Sequence, residues 1–238
     1  MPRTLASSRL FDSIPSIEYG FVSNHQAGGR ALHDEAEAKT ATVKQVHQAT
    51  LAWATQLEKK ARDADAIATI EPALPVGVYS ADCTPVLVVA LDVKNNPLGV
   101  MAIHAGWRGT AQEIVAKAFT DFHARLSGQG PLTLKAVIGP CISFASFEVG
   151  AEVVEAFPGA EERGLAKFLR EENGVKKYLF DLPGENARQL RDAASIAAAS
   201  LEVEVLDRCT LKEKETFPSY RRDAKNAGRL LSYIGFRR

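Results

Sequence analysis

The chain has 238 residues, 46 % of them hydrophobic, which suits one large domain or two small ones with a substantial core. Its 29 basic and 29 acidic residues cancel without a long run of one sign, which excludes the footprint of a duplex nucleic-acid binder and favours a small-molecule substrate. No stretch approaches the ~20 apolar residues of a membrane span, and the start, MPRTLASSRLFDSIPS, lacks the apolar core of a signal peptide, so a cytoplasmic location is expected.

In chain order, segments 76–81, 85–91 and 98–104 are β-rich and separated by turn residues, notably Lys94-Asn95-Asn96-Pro97. They are expected to be neighbouring strands, partly buried on both faces. Thr110-Ala111-Gln112-Glu113 has the spacing of a capping box, and Ile114, Val115, Ala118, Phe119, Phe122 and Leu126 then recur at helical intervals. That helix is expected to run to Ser127, where Gly128 and Gly130 stop it. Segment 132–138 reads as a strand, 150–157 as a short helix, 185–200 as an Ala-rich helix and 202–206 as a late strand. Strands and helices mix without regular βαβ alternation, which predicts an α/β layered domain built on a mixed sheet; no repeat or linker divides residues 1–238, so one domain is expected.

Three motifs carry ligand or nucleophile side chains: Lys44-Gln45-Val46-His47, Ala81-Asp82-Cys83-Thr84-Pro85 and His104-Ala105-Gly106-Trp107-Arg108-Gly109. Each sets one such side chain beside a predicted strand end, where strands converge. A catalytic zinc typically takes three imidazole or thiolate ligands and keeps a fourth position open, and His47, Cys83 and His104 make such a set. Spacing alone leaves it open, because Cys83 equally suits a small buried thiol, His47 a surface residue and His104 a hydrogen-bonded strand end. The three cysteines, Cys83, Cys141 and Cys209, are odd in number and far apart, so they are free thiols, ligands or nucleophiles.

In the third motif, Gly106 and Gly109 let a ligand approach the main chain, and a helix start capped by Thr110 offers free N–H groups to an anion. Arg108 suits a bidentate contact to phosphate or carboxylate, and Trp107 a flat wall for a ring. The plainer reading makes Trp107 core filler and Arg108 a solvated charge.

Taken with KQVH, ADCTPVL, IGPCIS, FEVG and the late CT…FPSYRR…GR from Cys209 to Arg229, the chain closely resembles the YfiH-like family, also labelled the multicopper polyphenol oxidase or laccase-domain family. The resemblance runs from about Tyr19 to Arg229. It implies a single α/β layered sandwich related to cytotoxic necrotizing factor catalytic domains. It also implies a zinc-dependent purine nucleoside enzyme, which phosphorolyses adenosine, inosine and methylthioadenosine to free base plus ribose 1-phosphate or its methylthio analogue, and deaminates adenosine. The family's ligand positions fall on His47, Cys83 and His104. Asp82 and Glu148 are candidate proton carriers, Arg108 the candidate phosphate holder and Cys141 a candidate nucleophile; Asn24, Trp107 and Arg221 join Arg108 as substrate-binding candidates, with Arg229 as a further cation. The family usually opens with Gly-Phe-Ser/Thr-Thr-Arg-x-Gly-Gly, whereas Gly20-Phe21-Val22-Ser23-Asn24-His25-Gln26-Ala27-Gly28-Gly29 lacks the arginine. The interval from Gly29 to His47 is also shorter than the family's, so a trimmed substrate-covering segment is expected.

Zinc is the expected ion and copper the secondary one. A blue-copper centre adds a weak axial methionine to a His2Cys set, but Met1 and Met101 are the only methionines, and Met101 sits three residues from His104, on the opposite face of one strand. A four-copper assembly also needs more imidazoles than the five histidines His25, His33, His47, His104 and His123. The alternative enzyme is a thiol hydrolase or amidase, as in relatives linked to removal of misincorporated serine from a muramyl precursor, with Cys83 or Cys141 as nucleophile. The non-enzyme alternative, a module with structural zinc, calls for four protein ligands where three are found. The expected partners are a purine nucleoside and phosphate, with no nucleic acid and no membrane, on a monomer or weak dimer.

Overall fold

The structure, a computed structural model, describes residues 4–25, 27–60 and 62–237. Met1 and Gln26, which enter the sequence reading, lie outside the described residues. The chain begins with α1 (Arg9–Asp12), β1 (Ile17–Ser23), α2 (Ala27–Lys39), β2 (Ala41–Thr42), β3 (Leu51–Trp53), β4 (Ala66–Thr69) and β5 (Val76–Ser80). Then come β6 (Thr84–Leu91), β7 (Pro97–Ala105), α3 (Trp107–Ala111), α4 (Ile114–Leu126), β8 (Thr133–Ile138), β9 (Glu148–Gly150) and α5 (Ala151–Glu155). The last elements are β10 (Ala166–Glu172), β11 (Val175–Phe180), α6 (Leu182–Ile196), β12 (Ser200–Val205), α7 (Tyr220–Asp223) and β13 (Leu230–Phe236).

Two mixed sheets stack face to face. One has the order β12-β8-β6-β7-β4-β3 and the other β1-β13-β5-β2. Alternation along the strands explains the stacking. Leu87, Val89 and Leu91 of β6 and Val100 and Ala102 of β7 meet Phe21, Val78 and Ile234 of the smaller sheet in one core. The intervening residues Val86, Val88, Met101 and Ile103 point the other way, onto Ile114, Phe119 and Phe122 of α4 and Leu190 of α6. β6 is therefore buried along its whole length, which is why TPVLVVAL reads as a continuous apolar run rather than an alternating one. α2 covers the outer face of the smaller sheet through Ala36, against Val22, Leu231 and Tyr233. The layers run helix, sheet, sheet, helices, which is the expected mixed-sheet sandwich. A third sheet, β10-β11-β9, packs with α5 around Phe147, Phe157 and Phe180.

Three expectations are corrected. Segment 76–81 is not a neighbour of 85–91 and 98–104: β5 pairs with β13 and β2 in the smaller sheet, while β6 and β7 pair in the larger. The short link between them switches sheets at Asp82, whose φ is 85°. The capping box does not form. Thr110 lies inside α3 with its hydroxyl donating to Gly106 O at 3.0 Å, Gly106 is the cap, and Glu113 breaks the chain into a second helix at φ 63°. The Ala-rich helix starts at Leu182 rather than 185 because Asp181 caps it by accepting from Gly184 N, and it ends at Ile196. The 166–180 hairpin was not read from the sequence, because β10 is exposed along most of its length and carries no apolar alternation.

Gly139, which follows β8, lets that strand pass the ring of Phe21, a fully buried core residue; a Cβ there would run into the ring. Gly139→Ala is expected to destabilise the fold by ~1–3 kcal/mol through overpacking. Chemical denaturation checks it, and an unchanged midpoint contradicts this packing.

Candidate metal centre and substrate cleft

His47, Cys83 and His104 come together. Their ligand atoms all lie within 4.8 Å of one another, and the two imidazole rings meet edge to face with centroids 5.0 Å apart. They arrive from three places: the loop after β2, the sheet-switching link before β6, and the end of β7. The residue that joins two of these is Asp65, fully buried just before β4. His104 Nδ1 donates to Asp65 Oδ1 at 2.8 Å, while Val46 N and Gln48 N, on either side of His47, donate to Oδ2 at 3.0 and 2.8 Å. A carboxylate on Nδ1 fixes the imidazole tautomer and leaves Nε2 of His104 free to ligate. Gln45 clasps the third place, its amide donating to Tyr79 O at 2.7 Å and accepting from Tyr79 N at 2.8 Å at the end of β5.

Burial works against ionisation of Cys83, but the charge and hydrogen bonds of His104, with help from His47, outweigh it and bring the thiol down to about 6. Burial likewise opposes a charged His104, yet Cys83 and Asp65 raise it to about 9. The thiolate is the form that binds a metal. Gly106 supplies the room: a Cβ there would stand 2.9 Å from Cys83 Sγ and 3.4 Å from His47 Cδ2. Two nitrogens, one thiolate and a cradle cleared by glycine suit a zinc ion.

The triad opens into a cleft of about 1140 Å3, above the roughly 300–1,000 Å3 usual for small-molecule sites. Asn24, Asp82, Trp107, Arg108, Arg221 and Arg229 also line it. Arg108 is exposed and stacks 4.3 Å from the centroid of the Trp107 ring, and Arg221 lies 5.5 Å from that of Phe147; neither guanidinium has a carboxylate partner among the described residues. The helix expected to start at Thr110 starts instead at Trp107, with Gly106 as its cap and no side-chain capping bond. Asn24 exchanges hydrogen bonds with the backbone of Arg229, and the Arg229 guanidinium donates to Ala227 O and Gly228 O.

Asp82 sits in the cleft wall, but both its oxygens are engaged. Thr210 Oγ1 donates to one at 2.6 Å, and Ser219 Oγ and Arg221 N donate to the other at 3.0 and 2.7 Å. It ties the Cys83 link to the late 210–221 segment. Glu148 is not among the cleft-lining residues; Arg170 grips it with contacts of 2.7 and 2.9 Å and holds its carboxyl below the usual range. Cys141 also stands away from the cleft, paired in register with Cys209, and burial pushes its thiol up to about 12, the opposite of an activated nucleophile. The sequence reading missed Asp65, Gln45 and Tyr79. An acid opening an apolar strand, as in Asp65-Ala66-Ile67-Ala68, was the one signal available for Asp65.

A family model described as multi-copper polyphenol oxidoreductase laccase matches residues 22–237. The purine nucleoside phosphorylase YfiH of Shigella flexneri is 36 % identical over 202 residues, covering 83 % of this chain and 74 % of that protein. A protein named adenosine deaminase RL5, from an unknown prokaryotic organism, is 36 % identical over 171 residues, covering 71 % of this chain and 61 % of that one. The crystal structure of a Bacillus licheniformis hypothetical protein, YfiH, matches with a TM-score of 0.74 at 24 % identity, covering 93 % of each chain, a likeness of fold.

Gly106→Ala is expected to lower zinc affinity at least tenfold, because its Cβ would stand 2.9 Å from Cys83 Sγ and push that ligand out of place. Asp65→Asn is expected to lower affinity by about 10–100-fold, because the amide keeps one acceptor oxygen where the carboxylate has two, so its NH2 group is set against either His104 Nδ1–H or the amides of Val46 and Gln48. Competition with a chelator measures both; wild-type affinity in either variant contradicts the role given to that residue.

Proposed function

This chain belongs to the multi-copper polyphenol oxidoreductase laccase family, and we propose that it is a zinc-dependent purine nucleoside enzyme acting by phosphorolysis and by deamination of adenosine. The observation that carries this reading is the convergence of His47, Cys83 and His104 in one cleft with Arg108 and Arg221, which have no carboxylate partner among the described residues, in a chain similar to relatives named for purine nucleoside phosphorolysis and adenosine deamination. His47, Cys83 and His104 hold the ion. The set favours zinc over copper, because Met101 packs in the core on the far face of β7 and five histidines are too few for a four-copper assembly. Zinc would supply Lewis acidity, the chemistry that makes water a nucleophile for the purine carbon from which the amino group leaves as ammonia.

The chain's own residues do the rest. Asp65 keeps His104 in one tautomer and holds the backbone on both sides of His47. Arg108 and Arg221 hold phosphate, one oxygen of which attacks the anomeric carbon of the ribose as the base departs. Trp107 offers the purine a flat wall. Asp82, with both oxygens accepting hydrogen bonds, is a positioning residue: it fixes the Cys83 link and the Arg221 backbone together. Glu148 and Cys141 drop out of the mechanism, Glu148 through its bond to Arg170 and Cys141 through burial.

Purified protein incubated with adenosine, with and without phosphate, tests the reading by chromatography of the products. Adenine formed only with phosphate, and inosine formed without it, are the expected results. Formation of neither, with cleavage of a UDP-muramyl-serine precursor instead, replaces this reading with the amidase one. Arg108→Ala is expected to raise the KM for phosphate about tenfold or more, the size of a lost charge-assisted hydrogen bond, with a smaller change in kcat. An unchanged phosphate dependence removes Arg108 from that role.

A further inference from the structure

A second part of the cleft wall is built by one face of α2 and the end of β5, through Arg30, His33, Asp34, Glu37 and Tyr79. His33 is 3 % exposed. Its Nδ1 lies 3.3 Å from Asp34 Oδ1, and because a carboxylate only accepts, the ring proton sits on Nδ1. Nε2 is then a lone-pair acceptor, and it is buried without a donor among the described residues. Leaving such an atom unmet costs about 1–3 kcal/mol, so an orphan in a cleft wall points to a group that arrives with the ligand.

Glu37 stands one helical turn on, on the same face as His33. One of its oxygens accepts from the Tyr79 hydroxyl, and the other has no donor among the described residues. A ring nitrogen of His33 and carboxylate oxygens of Asp34 and Glu37 lie within 4.8 Å of one another. The wall therefore presents adjacent acceptors and calls for a ligand with adjacent donors. Arg30 and Lys60 line the same stretch, the Lys60 ammonium 5.7 Å from the Tyr79 ring centroid, and their positive charge weighs against a divalent cation and favours neutral hydroxyls. Tyr79 also links this wall to the metal centre, since Gln45, which clasps its backbone, is two residues from His47.

We propose that His33 and Glu37 form the subsite for the vicinal diol of a ribose, one hydroxyl donating to His33 Nε2 and its neighbour to the Glu37 carboxylate. The assignment rests on the nucleoside reading above and adds which part of the nucleoside this wall selects.

Equilibrium binding of adenosine and of 2′,3′-dideoxyadenosine to the metal-loaded protein tests it, because it reads the diol without the chemistry. Wild type is expected to bind adenosine about tenfold more tightly than the dideoxy compound, the value of one or two net hydrogen bonds. His33→Ala and Glu37→Gln, measured side by side so that a folding failure in one leaves the other, are each expected to narrow that gap while leaving dideoxyadenosine binding unchanged. Adenosine binding with a wild-type gap in the folded variants overturns the subsite alone. No adenosine binding by wild type overturns the nucleoside reading, and the subsite with it.

Discussion

A carboxylate buried in a protein interior is tolerated only when its lone pairs are met, and Asp65 meets them with groups from two separate parts of the candidate metal centre. Its own carbonyl also accepts from His104 N at 2.7 Å, so the acid and the histidine are locked by main chain as well as side chain. β7 cannot shift relative to β4 without breaking this, and the loop carrying His47 cannot swing away without stranding a charge. Removing one partner of such a group costs more than forming it gains, which makes the arrangement specific even where it adds little net stability.

Strain at the site is braced the same way. His47 at φ 59° and Asp82 at φ 85° both sit in the left-handed region, which costs about 1–3 kcal/mol at a residue other than glycine. At His47 the brace is the pair of amide bonds to Asp65 together with the Gln45 clasp on Tyr79. At Asp82 it is the set of donors from Thr210, Ser219 and Arg221. The two stacked sheets supply the rigid frame, since β6 and β7, which flank Cys83 and His104, are buried on both faces. The strained turns aim the ligands and the apolar layers keep the turns from relaxing.

Much of the frame was legible in the sequence, because apolar periodicity records burial directly. TPVLVVAL and the 114–126 pattern reported a doubly covered strand and an amphipathic helix, and both are present. The three motifs stood out because histidine and cysteine beside strand ends are chemically conspicuous, and the structure brings His47, Cys83 and His104 within 4.8 Å of one another. What escaped was set by contacts distant in sequence. The Thr110 pattern matched a capping box, yet Thr110 is buried and also bonds Asn186, 76 residues away, which no local window contains. The sheet switch at Asp82 depends on one φ angle, and the importance of Asp65 depends on which loops fold onto it. Asp82 and Glu148 are a similar case, since residue type suggested proton transfer while their partners, Thr210 and Arg170, give them structural work.

The central claim is that three dispersed motifs make one metal centre of two imidazoles and a thiolate, held in shape by Asp65. X-ray absorption at the zinc edge, on protein isolated without added metal, reads the donor atoms directly. The account predicts one sulfur and two imidazole nitrogens per zinc, with the sulfur lost in Cys83→Ser. A shell without sulfur, or a spectrum unchanged in that variant, contradicts it.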